Sequence, residues 1–295
     1  MSALDALVAA YEDPRPVLDE WRGRVVGYAG ADVPRGLVAA AGLLPFRLRG
    51  AGEPSPQADA ILGPGVAAPA RRILADLLDG SAGVDFLLLS HESDSLVRLF
   101  TALRALPGPL PQLWFLDLLH LPTETTAAYN AARLEELRDV LERWSGSRPG
   151  EPREPTAELV EGVERLRREG RLRGSDALAV LGAGEILPAP EYEQLLEELL
   201  AEQHDPVPAR KRVYVTGSDQ VTPDLHRSLE ADGLHVVGED RIRLHGTNER
   251  AAHTAREAEA AGADAVVAWI RPGDEALAWG LPALRRALDI PLEIL

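Results

Sequence analysis

The sequence predicts an α/β protein with two open parallel-sheet domains of the Rossmann or flavodoxin-like kind, bridged by helices. Apolar runs of strand length alternate with segments of helical periodicity, which is the pattern of a parallel sheet covered by helices. This alternation occurs twice, on either side of a mainly helical stretch bounded by two proline-containing linkers. The 295 residues suffice for two domains with developed cores.

The first alternating pattern predicts an N-terminal α/β domain over residues 1–145. Strands are expected over residues 24–30, 45–49, 84–90 and 113–119. Helices are expected over 34–41, 70–78 and 94–106, followed by a long helix over 123–144. Thr123 has the residue type and position of an N-cap for the long helix.

Residues 146–210 are predicted to form a helical linker region. The stretches 146–155 and 204–210 contain proline and are typical of linkers. Helices are expected over 156–169 and 189–203, and residues 173–188 between them contain an apolar piece, 177–182.

The second alternating pattern predicts a smaller C-terminal α/β domain over residues 211–295. Strands are expected over 212–216, 234–238, 263–270 and 291–295, and helices over 248–261 and 274–289. A further helix is expected to be capped by Thr222, to have Pro223 at its first position and to be closed by Gly233.

Composition excludes several classes of function. The net charge of −16 argues against nucleic acid as a partner, because such binding depends on basic residues that neutralise phosphates. The longest apolar runs are strand-sized, so no membrane span is expected. The N-terminal residues are acidic where a signal peptide is basic, so we expect a cytoplasmic protein.

The chain contains no cysteine. Disulfides, thiolate nucleophiles, cysteine-ligated zinc and thiolate-held iron–sulfur clusters are therefore excluded. We expect no cofactor, and in particular no iron–sulfur cluster.

Polar residues cluster where predicted strands of the first domain end, which is where open parallel sheets bind ligands. The candidate acid–base residues are His91, Glu92, Asp94 and His120, and the candidate ligand contacts are Ser90 and Ser93. A divalent metal site is one function that such a cluster could have, but we predict no metal ligand here. The alternative is that Ser93 or Asp94 caps the next helix and that the other residues are solvated.

The second domain offers its own candidate ligand contacts at strand ends, namely Thr216, Gly217, Ser218, Asp240 and Arg271. The amide and hydroxyl donors of residues 216–218 suit a phosphate or a carbonyl oxygen. The same residue types occur in ordinary turns between a strand and a helix, and that alternative stays open. If the two sheet edges face each other, a cleft between the domains is the expected site.

Five segments resemble, in order, the 2-hydroxyacyl-CoA dehydratase and benzoyl-CoA reductase subunit family. The first contains Val-Gly-Tyr, Val-Pro, Ala-Ala-Gly and Arg-Leu-Arg within residues 24–50. The others are VDFLLLSHESDSLVRLFTAL at 84–103, and residues 115–146, 212–241 and 263–295. The resemblance implies the two-domain parallel-sheet fold and an acyl-CoA ligand.

The resemblance also implies cluster-binding cysteines after three strands, and this sequence departs from it there. Ser93 stands at the first position, Arg241 and Ile242 at the second, and Arg271 and Pro272 at the third. The family's ketyl-radical chemistry takes single electrons from an ATP-dependent activator through the cluster. Without thiolates, this chain alone is not expected to perform that reaction.

The expected role is a binding or structural subunit for a cluster-bearing homologue, or for an acyl-CoA ligand. The partner is a related family subunit or a second copy of this chain. The alternative is a repurposed non-redox enzyme, lyase-like if catalytic, that acts on an acyl thioester or small anion in the interdomain cleft. A third hypothesis is a homo-oligomeric small-molecule binding protein without catalysis.

Overall fold

The computed structural model describes residues 1–152, 156–240, 247–271 and 275–295. Contacts within the chain divide it into two compact units. One comprises Ala9–Pro155 and Ala183–Tyr192, and the other comprises Met1–Val8, Thr156–Gly182 and Glu193–Leu295. The predicted linker region, residues 146–210, contributes to both units.

The first unit is built on a four-stranded parallel sheet. Its strands are β1 (Val25–Ala29), β2 (Leu44–Arg47), β3 (Phe86–Ser90) and β4 (Gln112–Leu116), in the order β2-β1-β3-β4. Every residue of β1 and β3 is buried, which explains why both are nearly continuous apolar runs. The strand order reverses between β1 and β3, so their carboxyl ends form the topological switch point of this β1–β4 unit.

Helices cover this sheet. In chain order they are α2 (Arg15–Glu20), α3 (Arg35–Ala40), α4 (Pro56–Leu62), α5 (Ala68–Asp79), α6 (Asp94–Ala105) and α7 (Glu124–Ser145). The first helix, α1 (Ala3–Glu12), precedes them and is divided between the two units at residue 8. Thr123 caps α7, because its side chain accepts a hydrogen bond from the Thr126 amide at 3.2 Å. Leu137 and Leu141 of α7 are fully buried in the core against the sheet. Burial of each such side chain stabilises the fold by about 1.5–3 kcal/mol.

The second unit repeats the topology. Its strands are β5 (Lys211–Gly217), β6 (Leu234–Glu239), β7 (Ala265–Trp269) and β8 (Leu292–Ile294), parallel and in the order β6-β5-β7-β8. The remaining helices are α8 (Ala157–Arg168), α9 (Gly174–Ala183), α10 (Ala189–Ala201), α11 (Asp224–Ala231), α12 (Thr247–Ala260), α13 (Glu275–Ala278) and α14 (Leu281–Ala287). In this β5–β8 unit, Val213 and Val215 pack on one face of the sheet, and Tyr214 and Val266 pack on the other.

A charged cluster is buried in the β5–β8 unit. Only 2% of the Arg167 side chain is exposed, and it donates to Glu239 Oε1 at 3.1 Å and to Glu164. His226, fully buried, lies 3.4 Å from the second oxygen of Glu239. The ion pairs with Glu164 and Glu239 therefore compensate the cost of burying the Arg167 charge.

The predicted fold class is confirmed, and all eight predicted strands are present with small shifts at their ends. Two local predictions are wrong. The helix expected over 274–289 is interrupted at Gly280, so that α13 and α14 replace it, with Asp274 outside the described residues. Thr222 does not cap α11, because Pro223 occupies the N-cap and the Thr222 hydroxyl donates to Asp224 at 2.7 Å.

Four described helices have no counterpart in the sequence-based prediction, namely α1, α2, α4 and α9, and the last of these contains the apolar piece 177–182. Within the described ranges, no helix is both long and apolar enough to cross a membrane.

Candidate functional site

The ends of β1 and β3 meet closely at the edge of the β1–β4 sheet. Gly30 follows β1 with a φ of 110°, and a Cβ at this position would lie 1.8 Å from Ser90 Oγ. Only glycine therefore fits here. Glu92 joins the same two loops, because its carboxylate accepts a hydrogen bond from the Ala31 amide.

A histidine, an aspartate and a tyrosine form a hydrogen-bonded chain at this edge. His91 Nδ1 lies 2.8 Å from Asp117 Oδ1, and the Tyr129 hydroxyl donates to Asp117 Oδ2 at 2.9 Å. An ionised carboxylate only accepts, so Nδ1 carries the proton and Nε2 is the basic nitrogen of the neutral imidazole. The His91 side chain is 49% exposed, which leaves the ring accessible.

The electrostatics of this chain favour an ionised Asp117. Burial raises the pKa of Asp117, but the hydrogen bonds from His91 and Tyr129 outweigh burial and lower the pKa below its usual value. The same bond to Asp117 raises the pKa of the Tyr129 hydroxyl. At neutral pH Asp117 is therefore a carboxylate and Tyr129 a phenol. The bond between Nδ1 and this carboxylate orients the His91 ring and leaves Nε2 as the nitrogen suited to accept a proton.

A second histidine–aspartate pair lies at the same edge. His120 Nε2 is 3.0 Å from Asp32 Oδ2, which brings the loop after β4 to the loop after β1. The loop after β4 is fixed to α7 by Asn130, whose side chain bonds both the amide and the carbonyl of Leu119 at 2.9 Å. The structure thus places His91 and His120 at one sheet edge, each with its own aspartate.

Three other candidate residues of this edge, Ser90, Ser93 and Asp94, have different environments. Ser93 is the N-cap of α6 and accepts from the Leu96 amide at 3.3 Å, which is the capping role given as the alternative. Asp94 is exposed at the first helical position. Ser90 is fully buried, and its Oγ has no hydrogen-bond partner among the described atoms. Ligand contact by these residues stays a prediction.

At the carboxyl edge of the β5–β8 sheet, Asp240 is surrounded by hydroxyl groups. It accepts hydrogen bonds from Tyr214 at 3.1 Å, from Thr254 at 2.7 Å and from Thr216. Burial, and then the charge of Asp240, raises the pKa of Tyr214. Both oxygens of this candidate ligand contact are therefore engaged within the unit.

The donors of residues 216–218 are engaged in the same way. Gly217 has a φ of 113°, and a Cβ there would lie 2.0 Å from the Trp269 carbonyl oxygen. The Ser218 amide donates to that carbonyl at 2.8 Å, and Ser218 Oγ accepts from the Arg271 amide at 2.9 Å. The Arg271 guanidinium donates to the Asp219 carbonyl at 2.7 Å. Residues 216–218 were expected to bind a phosphate or a carbonyl oxygen. The hydroxyls of Thr216 and Ser218 and the amide of Ser218 are instead bonded to other groups of the protein.

The sequence-based prediction missed the partners that define the first edge, namely Asp32, Asp117, Tyr129 and Asn130. Asp117 directly follows β4, and Asp32 lies three residues beyond the end of β1, so their positions carried a signal. Among the described residues, no group of three or more histidine, aspartate or glutamate side chains is arranged to hold a metal ion. Arg241, Ile242 and Pro272, at the departures from the family pattern, lie outside the described residues.

Comparison with known proteins gives two matches. Residues 31–245 match the family model described as 2-hydroxyglutaryl-CoA dehydratase, D-component. One of the subunits of benzoyl-CoA reductase from Thauera aromatica is 27% identical over 242 residues, which cover 75% of this chain and 62% of that protein. The match thus spans less than two thirds of the length of this relative.

Proposed function

Because the chain belongs to the 2-hydroxyglutaryl-CoA dehydratase D-component family, we propose that it acts as a binding or structural subunit without an iron–sulfur cluster of its own. It serves a cluster-bearing homologue or holds an acyl-CoA ligand. The single observation that carries this proposal is that the chain has kept the family's fold while containing no cysteine. The similarity to a protein named as a reductase subunit supports a partner within the family.

The residues at the departures from the family pattern do not fit an iron–sulfur cluster. Ser93 Oγ, the nearest substitute for a thiolate, is already the N-cap acceptor of α6. The Arg271 side chain carries a positive charge, bonds the Asp219 carbonyl and lies over the Trp269 ring. Iron in such clusters is held by thiolates, and these side chains offer none.

Co-expression with a cysteine-bearing family member from the same genome tests the partnership. With an affinity tag on this chain alone, we expect a stoichiometric complex in size-exclusion chromatography with light scattering. Iron and sulfide should be present in the complex and absent from this chain after anaerobic reconstitution. A chain that never binds the homologue, or that assembles a stable cluster alone, would contradict the proposal.

Acyl-CoA binding is tested separately by native mass spectrometry with butyryl-CoA. Retention of one unaltered molecule per chain supports a binding role. If butyryl-CoA is not retained, the subunit role rests on the co-expression result alone.

A second candidate function is non-redox acid–base chemistry on an acyl thioester at the edge of the β1–β4 sheet, lyase-like in type. The observation that favours it is the bond from His91 to Asp117, which orients the imidazole and leaves Nε2 as the basic nitrogen. Such a base is suited to removing a proton next to a thioester carbonyl.

Deuterium exchange tests this second function. Wild-type protein incubated with butyryl-CoA in deuterated water should exchange the proton next to the thioester, and His91→Gln should abolish the exchange. Asp117→Asn should slow it, since the imidazole loses its orientation. His253→Gln in the other unit is the matched control and should leave it unchanged. Exchange that persists in His91→Gln would rule out this function.

A further inference from the structure

A pocket of about 380 Å³ lies within the β1–β4 unit and shares no lining residue with the histidine–aspartate pairs. One face of α3, the start of β2 and the segment 184–190 form its walls. This volume lies within the range of small-molecule sites in proteins.

The walls of the pocket are apolar, and small residues create its space. Ala39 and Ala40 present only methyl groups from α3, and Leu44 and Leu187 line the walls beside them. Side chains of this kind favour contact with hydrocarbon, and they offer no hydrogen bonds to a polar ligand.

The two ends of the pocket differ in chemistry. Trp21 precedes β1 and so lies at the amino edge of the sheet, whereas Arg35 opens α3 just beyond the carboxyl edge. The six residues of α3 rise about 9 Å between these ends. The pocket therefore has an aromatic ring at one end and a guanidinium at the other.

Hydrogen bonds hold the Arg35 side chain at the pocket wall. Its Nη1 donates to the Gly184 carbonyl at 3.2 Å, and its side chain hydrogen-bonds Tyr28. A guanidinium carries five N–H donors and can bridge several acceptors at once, so it can hold these groups and a ligand carboxylate together. The acidic lining residue, Glu151, is exposed. The preceding residue, Gly150, donates its amide to the carbonyl of Ala40, which lies at the end of α3 opposite Arg35.

We propose that this pocket binds an aliphatic monocarboxylate of medium chain length. The carboxylate is held by Arg35, and the hydrocarbon chain extends along Ala39 and Ala40 towards Trp21. This inference does not depend on the proposed subunit function or on the acid–base function.

Calorimetric titration of the full chain with four probes tests the assignment. Octanoate should bind saturably at one site, and octan-1-ol about tenfold or more weakly, because it lacks the charge-assisted bond to Arg35. Octylamine should not bind. Equal affinity for octanoate and octan-1-ol, or binding of octanoyl-CoA alone, would overturn the assignment.

Two variants locate the ligand, each with a matched control. Arg35→Gln should reduce octanoate affinity to that of octan-1-ol, whereas Arg22→Gln, in an exposed ion pair with Asp19, should not. Ala40→Leu should block binding of both probes by filling the pocket, whereas Ala60→Leu on the exposed face of α4 should not. If Ala40→Leu fails to fold by circular dichroism, the probe series and Arg35→Gln decide the question.

Fluorescence quenching tests the orientation. Octanoate brominated at its terminal carbon should quench Trp21, and octanoate brominated beside the carboxylate should not, with Trp21→Phe removing the effect.

Binding that survives Ala40→Leu in a folded protein would overturn the proposal. So would a dimer in light scattering that this substitution breaks, since a second copy would then occupy the pocket.

Discussion

Asp76 offers a quantitative test of the electrostatics of the β1–β4 unit. Its half-buried carboxyl group packs so closely against Gly52 that a Cβ there would lie 2.2 Å from Oδ1. Burial, and then repulsion by Asp79, raises the pKa of Asp76 from 3.8 to about 6. At neutral pH the folded state therefore contains a carboxylate that the unfolded chain ionises more easily.

The size and sign of the effect follow from linkage. A rise of the pKa from 3.8 to about 6 corresponds to an upper bound of about 3 kcal/mol in stability. Solvent screening of a half-buried group reduces this to about 1–2 kcal/mol. Because the folded pKa is raised, the contribution of Asp76 to stability is fully present below pH 3.8 and is lost as the pH rises through about 6. Asp76→Asn imitates the protonated form and should avoid that loss.

Urea unfolding at two pH values measures this prediction. Asp76→Asn should be about 1–2 kcal/mol more stable than the wild type at pH 7.5, and only about a third of that gain should remain at pH 4.5. Asp205→Asn, at an exposed position, is the control for the change in net charge. A gain that is absent at pH 7.5, or that is equal at both pH values, would refute the reasoning.

Two further predictions concern the β5–β8 unit. Gly217→Ala should destabilise the protein by about 3 kcal/mol or more, because it combines a positive φ with a backbone clash, whereas Gly146→Ala, with open space around it, should cost about 1–2 kcal/mol. Arg167→Met should cost about 3–5 kcal/mol in chemical denaturation, because it leaves buried carboxylates without their cation. Arg148→Met, on the surface, should cost under about 1 kcal/mol, and equal losses for the two arginines would contradict the argument.

The parallel sheets were predictable because burial on both faces leaves a direct mark on the sequence. All residues of β1 and β3 are buried, and both strands are nearly continuous apolar runs. The same property made α9 unpredictable. Nine of its ten residues are buried, and a helix buried nearly all round shows no polar face from which a helical period can be recognised.

The candidate site was predictable only in part, for a different reason. The position of a residue at a strand end follows from the strand pattern, and this was enough to select His91 and His120. Which carboxylate each imidazole meets depends on loop paths and side-chain rotamers, which local sequence does not encode. The pairing of His91 with Asp117, and of His120 with Asp32, therefore required the structure.

The two sheet edges have opposite chemical characters, although their strand orders are the same. At the β5–β8 edge the oxygens of Asp240 accept three hydroxyl groups, and Ser218 bonds the backbone of Arg271, so these polar groups stabilise the unit itself. At the β1–β4 edge the imidazoles of His91 and His120 are about half exposed and each is held by a carboxylate. A side chain that is oriented by a hydrogen bond and still exposed is suited to act on a ligand. Buried polar groups that are hydrogen-bonded within the protein contribute to its stability instead. Of these two edges, the β1–β4 edge is therefore the one at which acid–base chemistry by this chain should be sought.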